Sequence, residues 1–321
     1  MIRCSAGSDD PLFRPREDAI TRESPLPHVG VIGIGNMGWP MAACLRRADF
    51  PVHAYDSRPG TATRFAAETG GHAAADLAAI AAAADVIVTV LPTSAIVATV
   101  ADALLPRLRA GQILIDMTSG VPTATRAIAA RLAGAGVEMI DAPVSGGVAR
   151  ARIGQLAIMV GGADETIARM RPILDAMGSV TRTGPLGSGQ AMKALNNLVS
   201  AGGFLIGVEA LLIGQRFGLD PDMMVEVLNA SSGMNNSTQR KFRQFVLSRR
   251  FDSGFGLDLM VKDLSIALQI GRDTATPAPF AAMCRELWAA AAAMLGEGHD
   301  HTELARLSER LAGTELSAGD E

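Results

Sequence analysis

The stretch from Val29 to Asp56 most limits what this chain can fold into. It combines an apolar run, a glycine-rich turn, a helical pattern and a second apolar run that ends in an acid. This order is typical of a βαβ unit that binds a dinucleotide. A glycine-rich turn of another α/β protein is the alternative, and the complete order of strand, turn, helix, strand and acid favours the dinucleotide unit.

The glycine-rich turn has a physical reason at each glycine. Gly33 allows a tight turn out of the first predicted strand, and Gly35 lets the backbone approach a pyrophosphate. Gly38 lets the following helix pack close to the sheet, and the free N–H groups of that helix point at the phosphates. The predicted cofactor-binding residues of this turn are Gly33, Gly35, Asn36, Met37 and Gly38.

The acid at the end of the second strand completes the pattern. Asp56 follows Gly35 by 21 residues. A carboxylate at this place accepts hydrogen bonds from the hydroxyl groups of the adenosine ribose. Asp56 is therefore also predicted to bind the cofactor.

Composition excludes several classes of protein. The net charge of −4 and the 4% aromatic content argue against a nucleic-acid partner. The apolar run from Ala78 to Pro92 is too short for a membrane span, and Asp85 interrupts it. Three cysteines without ligand-like spacing indicate a reducing compartment, so we expect the cytoplasm. The run from His299 to His301 lacks a third ligand, so no metal is predicted.

The 321 residues are more than one core usually holds, so we expect two domains. Residues 1–27 contain no apolar stretch for a signal peptide and are predicted to form a disordered lead, or an arm on a neighbouring subunit. Strand and helix patterns alternate over residues 28–184, and only helical spacing follows over 185–311. The helices predicted in that second stretch include roughly Pro221 to Asn229, Ser237 to Leu247 and Pro279 to Leu295. The predicted fold class is α/β, a Rossmann-type dinucleotide-binding domain followed by an all-α C-terminal domain, with a frayed tail at 312–321.

Loops that follow the predicted strands are the next candidates. In a parallel sheet such loops line the ligand crevice, so the loop of Leu91, Pro92 and Thr93 is predicted to lie near the cofactor. Hydroxyl and glycine N–H groups suit a substrate carboxylate, and ordinary strand-to-helix turns are the alternative. The loop residues with these groups are Ser119, Ser145, Gly146 and Gly147.

Lys193 is the strongest candidate for chemistry. It lies one turn into a helix predicted from Gln190 to Phe217, just after a glycine-rich hinge, with Asn196 and Asn197 on the same face. A cleft is expected between two such domains, although a solvated surface lysine is the alternative. The pair Lys262-Asp263, taken alone, is typical of a surface ion pair.

Rival chemistries lack their motifs. Neither Ser145 nor Ser188 has the Gly-x-Ser-x-Gly frame of a nucleophile elbow. The chain also lacks the Gly-x-x-x-x-Gly-Lys-Ser/Thr phosphate loop.

Taken together, these blocks resemble the β-hydroxyacid dehydrogenases, a family that includes 3-hydroxyisobutyrate dehydrogenase and tartronate semialdehyde reductase. The resemblance covers about residues 29–311. It rests on blocks that occur in the family's order: residues 33–42, 91–94, 116–119, 141–147, 187–197 and 262–264.

The resemblance implies hydride exchange between a nicotinamide and a small hydroxyacid or its semialdehyde, in a homodimer or homotetramer. It implies that Lys193 is the catalytic acid or base and that Asn197 orients the substrate. Lys262 would close over cofactor and substrate, and Asn196 is placed with the substrate-binding residues. The substrate carboxylate would be held by Ser119, Ser145, Gly146 and Gly147.

The choice of cofactor rests on the run from Tyr55 to Pro59. Members of the family that resemble NADP-dependent enzymes tend to have Asn-Arg-Ser/Thr there, whereas Asp56 suits a free 2′-hydroxyl. NAD is therefore expected. NADP stays possible because Arg58 could reach a 2′-phosphate.

Two alternative functions remain, an imine reductase and a non-catalytic nucleotide-binding scaffold. Imine reductases share the two-domain plan but usually replace the lysine found here as Lys193. 6-Phosphogluconate dehydrogenase is related, but its helical domain is larger than this chain allows. Some relatives are non-catalytic nucleotide-binding scaffolds, which also tend to lose the lysine.

The sequence does not identify the substrate. Arg150 or Asn235 could bind a second polar group of the substrate.

Overall fold

The computed structural model describes residues 25–317, so most of the predicted N-terminal lead lies outside the described residues. A nine-stranded sheet with helices forms the first part. Its strands are β1 (Val29–Ile32), β2 (Val52–Tyr55), β3 (His72–Ala73), β4 (Val86–Thr89), β5 (Ile113–Asp116), β6 (Glu138–Asp141), β7 (Val144–Ser145), β8 (Leu156–Gly161) and β9 (Gly178–Gly184).

The strand order places the ligand crevice. The sheet runs β3-β2-β1-β4-β5-β6-β8-β7, with β9 paired to β8. The first six strands of that order are parallel, and β6 meets β8 antiparallel. This is the order of dinucleotide-binding domains, in which the ligand lies at the carboxyl ends of β1 and β4, where the strand order of the sheet reverses.

Helices cover both faces of the sheet, and its strands are accordingly apolar at successive positions. On β4, Val86 and Val88 enter one core cluster, whereas Ile87 enters another on the opposite face. The covering helices are α1 (Gly38–Arg47), α2 (Thr61–Thr69), α3 (Leu77–Ala83), α4 (Ser94–Leu104), α5 (Pro122–Ala133), α6 (Gly147–Arg152) and α7 (Asp164–Asp175).

The second part consists of helices joined by loops, with one isolated β-bridge between Gly256 and Asp300 among its described residues. Its core surrounds Phe204, Phe242 and Trp288. The long helix packs so close to Phe242 that a methyl group at Gly207 would lie 2.5 Å from the Phe242 ring. The α-helices are α8 (Ser188–Phe217), α9 (Pro221–Asn229), α10 (Asn236–Arg240), α11 (Leu257–Asp273), α12 (Pro279–Leu295) and α13 (Leu304–Ala312), with a π-helical stretch at Phe242–Leu247.

Two predictions about this part were wrong. The helix predicted from Ser237 to Leu247 is divided into α10 and the π-helical stretch at Lys241, where the backbone leaves helical geometry. The chain does not fray directly after Leu311, because Leu316 is buried and its amide donates a hydrogen bond to Glu309 Oε1. Residues 318–321 lie outside the described residues.

Helix α8 is long and strongly apolar. By length and composition it is the one helix within residues 25–317 that could cross a membrane. However, 56% of its most apolar window is buried inside the protein. That burial is expected of the central helix of a domain, so the feature is weak evidence for a membrane span.

Candidate active site

The turn between β1 and α1 has the form that a pyrophosphate needs. A methyl group at Gly38 would lie 1.9 Å from the carbonyl oxygen of Gly33, so this close crossing requires glycine. At Gly35, the nearest atom to such a methyl is 3.8 Å away. Packing within the protein therefore does not require glycine at this position, and the open backbone fits a phosphate group that approaches it closely. Helix α1 begins at Gly38, which leaves Asn36 and Met37 in the turn.

Asp56 lies beside this turn and is engaged by Arg58. The guanidinium donates from Nε to Oδ1 (2.9 Å) and from Nη2 to Oδ2 (3.2 Å). Burial works to raise the pKa of Asp56, but the hydrogen bonds and the charge of Arg58 outweigh it and hold the pKa below its ordinary value. Asp56 is thus a carboxylate at neutral pH, in the place where a dinucleotide ribose would lie.

Lys262 of α11 joins the two parts of the protein. Its Nζ donates to the carbonyl oxygen of Ser119 at 2.7 Å and to that of Pro92 at 3.3 Å. These two loops follow β5 and β4, at the crevice edge of the sheet. The neighbouring Leu91 amide donates to Thr118 Oγ1, and Thr93 Oγ1 accepts from Ile96 N as the cap of α4. Lys262 therefore lies over the predicted cofactor loop.

Lys193 is buried in the cleft rather than solvated. Only 7% of the residue is exposed, and its Nζ lies 3.5 Å from Asn197 Oδ1 and 5.9 Å from the centre of the Phe255 ring. Asn196 Nδ2 donates to the same oxygen of Asn197 at 3.2 Å. The helix thus brings together the three residues that the sequence placed on one face.

Burial lowers the pKa of Lys193 from its ordinary value, while the charge of Asp263 works to raise it and that of Lys262 lowers it further. Removal from water disfavours the charged form of an amine. A lysine in this state can release and accept a proton closer to neutral pH than a solvated one.

Asp263 completes the cluster. It is 1% exposed, and its carboxylate accepts hydrogen bonds from Asn197 Nδ2 (2.6 Å) and from Ser119 Oγ (2.7 Å). The prediction that Lys262 and Asp263 form a surface ion pair was wrong for Asp263, because its side chain lies on the face of α11 that packs against α8. The run of two charges inside an otherwise apolar helix was the available signal.

The first part of the protein fixes the start of α8. Asp141, at the end of β6, accepts hydrogen bonds from the backbone amides of Gly187 (2.6 Å) and Gln190 (2.8 Å). The Gln190 side chain reaches Asp116 Oδ2 at 3.0 Å. These buried contacts hold the helix that carries Lys193 against the sheet. Sequence reasoning assigned no role to either acid.

The third predicted substrate loop follows β6. Ser145 ends the short strand β7, and Gly146 and Gly147 open α6 with positive φ angles of 134° and 67°. Within residues 25–317, no hydrogen bond joins Ser145, Gly146 or Gly147 to Lys193. The Arg150 side chain lies against Gly146 and is exposed.

The fold and this cluster define a dinucleotide-dependent oxidoreductase with a buried lysine between its two parts. Residues 28–185 match the family described as the NAD binding domain of 6-phosphogluconate dehydrogenase. Residues 187–308 match the family described as NAD-binding of NADP-dependent 3-hydroxyisobutyrate dehydrogenase.

Similar proteins cover nearly the whole chain. The 2-(hydroxymethyl)glutarate dehydrogenase of Eubacterium barkeri is 34% identical over 295 residues, which cover 91% of this chain and 98% of that protein. The mitochondrial 3-hydroxyisobutyrate dehydrogenase of Mus musculus is 36% identical over 270 residues, 81% of this chain and 80% of that protein. A solved 3-hydroxyisobutyrate dehydrogenase of Mycobacterium tuberculosis with L-serine has a TM-score of 0.82 at 30% identity, covering 88% and 99% of the two chains.

The chain belongs to the β-hydroxyacid dehydrogenase family. It is an NAD(P)-dependent dehydrogenase, as the sequence predicted. Solved imine reductases of 17–19% identity share the fold alone.

Proposed function

We propose that this enzyme interconverts a small 3-hydroxyacid and its semialdehyde, with Lys193 as acid and base. The observation that carries the proposal is the buried contact of Lys193 with Asn197, which is joined through Asp263 to Ser119 of the first part. The related enzymes named above act on hydroxyacids, as their names state.

The residues of the cleft suit this reaction. The turn of Gly33 to Gly38 would hold the pyrophosphate of the dinucleotide, whose nicotinamide would supply or take up the hydride. In the direction of reduction, the Lys193 ammonium donates its proton to the carbonyl oxygen of the semialdehyde, and in oxidation the neutral amine takes that proton back. The amide oxygen of Asn197 positions Nζ for this transfer. In this proposal the Ser119 hydroxyl turns from Asp263 to the substrate carboxylate when the substrate binds.

The preferred cofactor is NAD in this proposal. Asp56 is ionised and partly buried, so a 2′-phosphate would bring negative charge next to a carboxylate, whereas a ribose hydroxyl can donate to it. Arg58 supports the same choice, because its guanidinium is already paired with Asp56 through two nitrogens.

A homodimer through α8 is the second part of the proposal. The exposed face of this helix carries a stripe of large apolar residues at helical spacing: Val199 (76% exposed), Ile206 (55%), Ile213 (71%) and Phe217 (83%). A second copy of the chain offers the same stripe, and two such stripes can cover each other across a twofold axis. Exposed stripes of this kind mark protein interfaces more often than free surface.

The cytoplasm remains the proposed location. Cys44 and Cys284, the two cysteines in the described part of the chain, are free and buried, as suits a reducing compartment. Fractionation of the source cells tests it, and recovery outside the cytoplasm contradicts it.

An NADH oxidation assay with a panel of small semialdehydes tests the proposed reaction. We expect turnover of at least one semialdehyde that carries a carboxylate. NADH binding without turnover of any of them would instead favour a non-catalytic scaffold, and reduction of cyclic imines alone would favour an imine reductase.

A further inference from the structure

A second lysine, Lys241, is half-buried and forms no ion pair with any residue in the described part of the chain. Its Nζ donates to Ser200 Oγ at 3.2 Å and lies 5.7 Å from the centre of the Phe204 ring. Within residues 25–317, no carboxylate oxygen comes within 4 Å of this ammonium group. Burial lowers the pKa of Lys241 to about 8, although the charge of Asp300 opposes the change. An ammonium group that is shielded from water lowers the stability of the folded protein unless an anion pairs with it.

The nearest acid is already engaged elsewhere. The Asp300 carboxylate accepts hydrogen bonds from Ser253 Oγ, from the amides of Gly254 and Phe255, and from Thr302. Its lone pairs are thus used to hold the loop before α11 and the turn before α13. Asp300 acts on Lys241 only through its charge at a distance.

Lys241 contacts the face of α8 that carries Lys193. Its partner Ser200 follows Lys193 by seven residues on α8, which is two helical turns on the same face and about 10 Å along the axis. Asn197 lies between Lys193 and Ser200 on that face.

Lys193 and Ser200 are separated by about 10 Å along the axis of α8. A substrate that contacts both residues therefore carries its second acidic group a few carbon–carbon bonds away from the reacting carbon.

We propose that Lys241 and Ser200 bind a second carboxylate at the far end of the substrate, so that the enzyme prefers hydroxyacids with two carboxylates. This inference rests on the proposed function. The first carboxylate lies at the Ser119 loop, the reacting carbon at Lys193, and the second carboxylate at Lys241.

Asn235, one of the two residues predicted from sequence to bind a second polar group of the substrate, fits this role less well. Asn235 uses its side-chain oxygen to accept from the amides of Ser237 and Thr238, and it caps α10. Its Nδ2 donates to Gly233 O. Asn235 is therefore a structural cap, six residues before the lysine that has no anionic partner.

Calorimetric binding of glutarate and valerate to the NAD⁺-saturated protein tests the proposal. These acids have the same chain length, and only glutarate has a second carboxylate. The variants are Lys241→Met, which keeps the length of the side chain without its charge, Lys241→Arg, which keeps the charge, and Arg240→Gln as an exposed control. Thermal unfolding of each variant is measured beside it.

We expect the wild type and Arg240→Gln to bind glutarate at least about tenfold more tightly than valerate, as a charge-assisted contact would give. Lys241→Met should bind both acids alike and keep or raise the Tm, and Lys241→Arg should retain a preference for glutarate. A wild type without preference, or a Lys241→Met protein that keeps it, overturns the proposal. A Lys241→Met protein with a lower Tm and an equal loss of affinity for both acids also overturns the proposal, because that result shows a structural role for Lys241. Binding does not depend on turnover, so failure of the proposed reaction would be seen separately in the semialdehyde assay.

Discussion

Asn197 of α8 donates a hydrogen bond to Asp263 of α11, with 2.6 Å between Nδ2 and Oδ2. Because the amide nitrogen is held by Asp263, the amide oxygen of Asn197 faces Lys193. The same carboxylate accepts from Ser119 of the first part. A single buried acid on α11 thus orients residues from both parts of the protein toward one point.

Asp263→Asn should lower kcat at least about tenfold, because misplacement of the groups around the reacting atoms is costly. It should also move the rise of alcohol oxidation with pH to lower pH. The reason is that the Asp263 charge works to raise the pKa of Lys193, and its loss leaves burial unopposed. Steady-state rates over pH 6–11 measure both effects. Asp258→Asn, an exposed acid on the same helix, is the control, and an unchanged pH profile in Asp263→Asn would argue against this positioning role.

Asp56→Ser should raise the ratio of kcat/KM for NADPH to that for NADH by at least about tenfold, which corresponds to about 1.4 kcal/mol. The change removes the charge that repels a 2′-phosphate, and it frees Arg58 to bind one. Steady-state kinetics with both cofactors measure the ratio. Glu68→Gln, which removes one exposed negative charge on α2, is the control for a change in net charge. The proposed NAD preference is lost if the wild type already favours NADPH.

Asp141 gives stability an unusual dependence on pH. Burial raises its pKa to about 6 against the hydrogen bonds from Gly187 and Gln190, with the Asp116 charge also raising it. The folded protein thus binds this proton more tightly than the unfolded chain, and the stabilisation is complete below about pH 4 and lost as the pH rises to about 6.

Urea unfolding of the wild type and Asp141→Asn at pH 4 and pH 7 measures the contribution of Asp141. Relative to Asp141→Asn, the wild type should lose about 1 to 3 kcal/mol of unfolding free energy between these values. A constant difference between the two proteins would show that Asp141 has an ordinary pKa.

The exposed stripe of α8 predicts the oligomeric state. Light scattering should give a dimer or tetramer mass for the wild type, and Val199→Glu with Ile213→Glu should give a monomer, because two buried charges would face each other across the twofold axis. Ile153→Glu, at another exposed apolar residue, should leave the mass unchanged. A monomeric wild type would contradict the proposed interface.

The parts of the fold predicted from sequence depended on local patterns. The β1 turn could be recognised because Gly33 and Gly38 meet in the structure at a distance that excludes a side chain, and only glycine satisfies that contact. Helices α9 and α12 were predicted at Pro221–Asn229 and at Pro279–Leu295, where they lie, because a proline opens each of them.

The parts that could not be predicted depend on contacts between distant segments. Asp263 and Asp141 each act on another element of the chain, 66 and 46 residues away from their partners Asn197 and Gly187. No local spacing reports which face of α11 meets α8. Lys241 was missed for the same reason, because its partial burial without an ion pair in the described part of the chain is visible only in the folded protein.

Lys193→Met tests the central claim most directly. The variant keeps the length of the side chain but cannot transfer a proton. We predict that kcat for NADH-dependent reduction of an accepted semialdehyde falls at least about 10²-fold, a typical contribution of a general acid, while the Kd for NADH changes less than about threefold. Near wild-type kcat in this variant would contradict the account, because the proton would then have to come from another group.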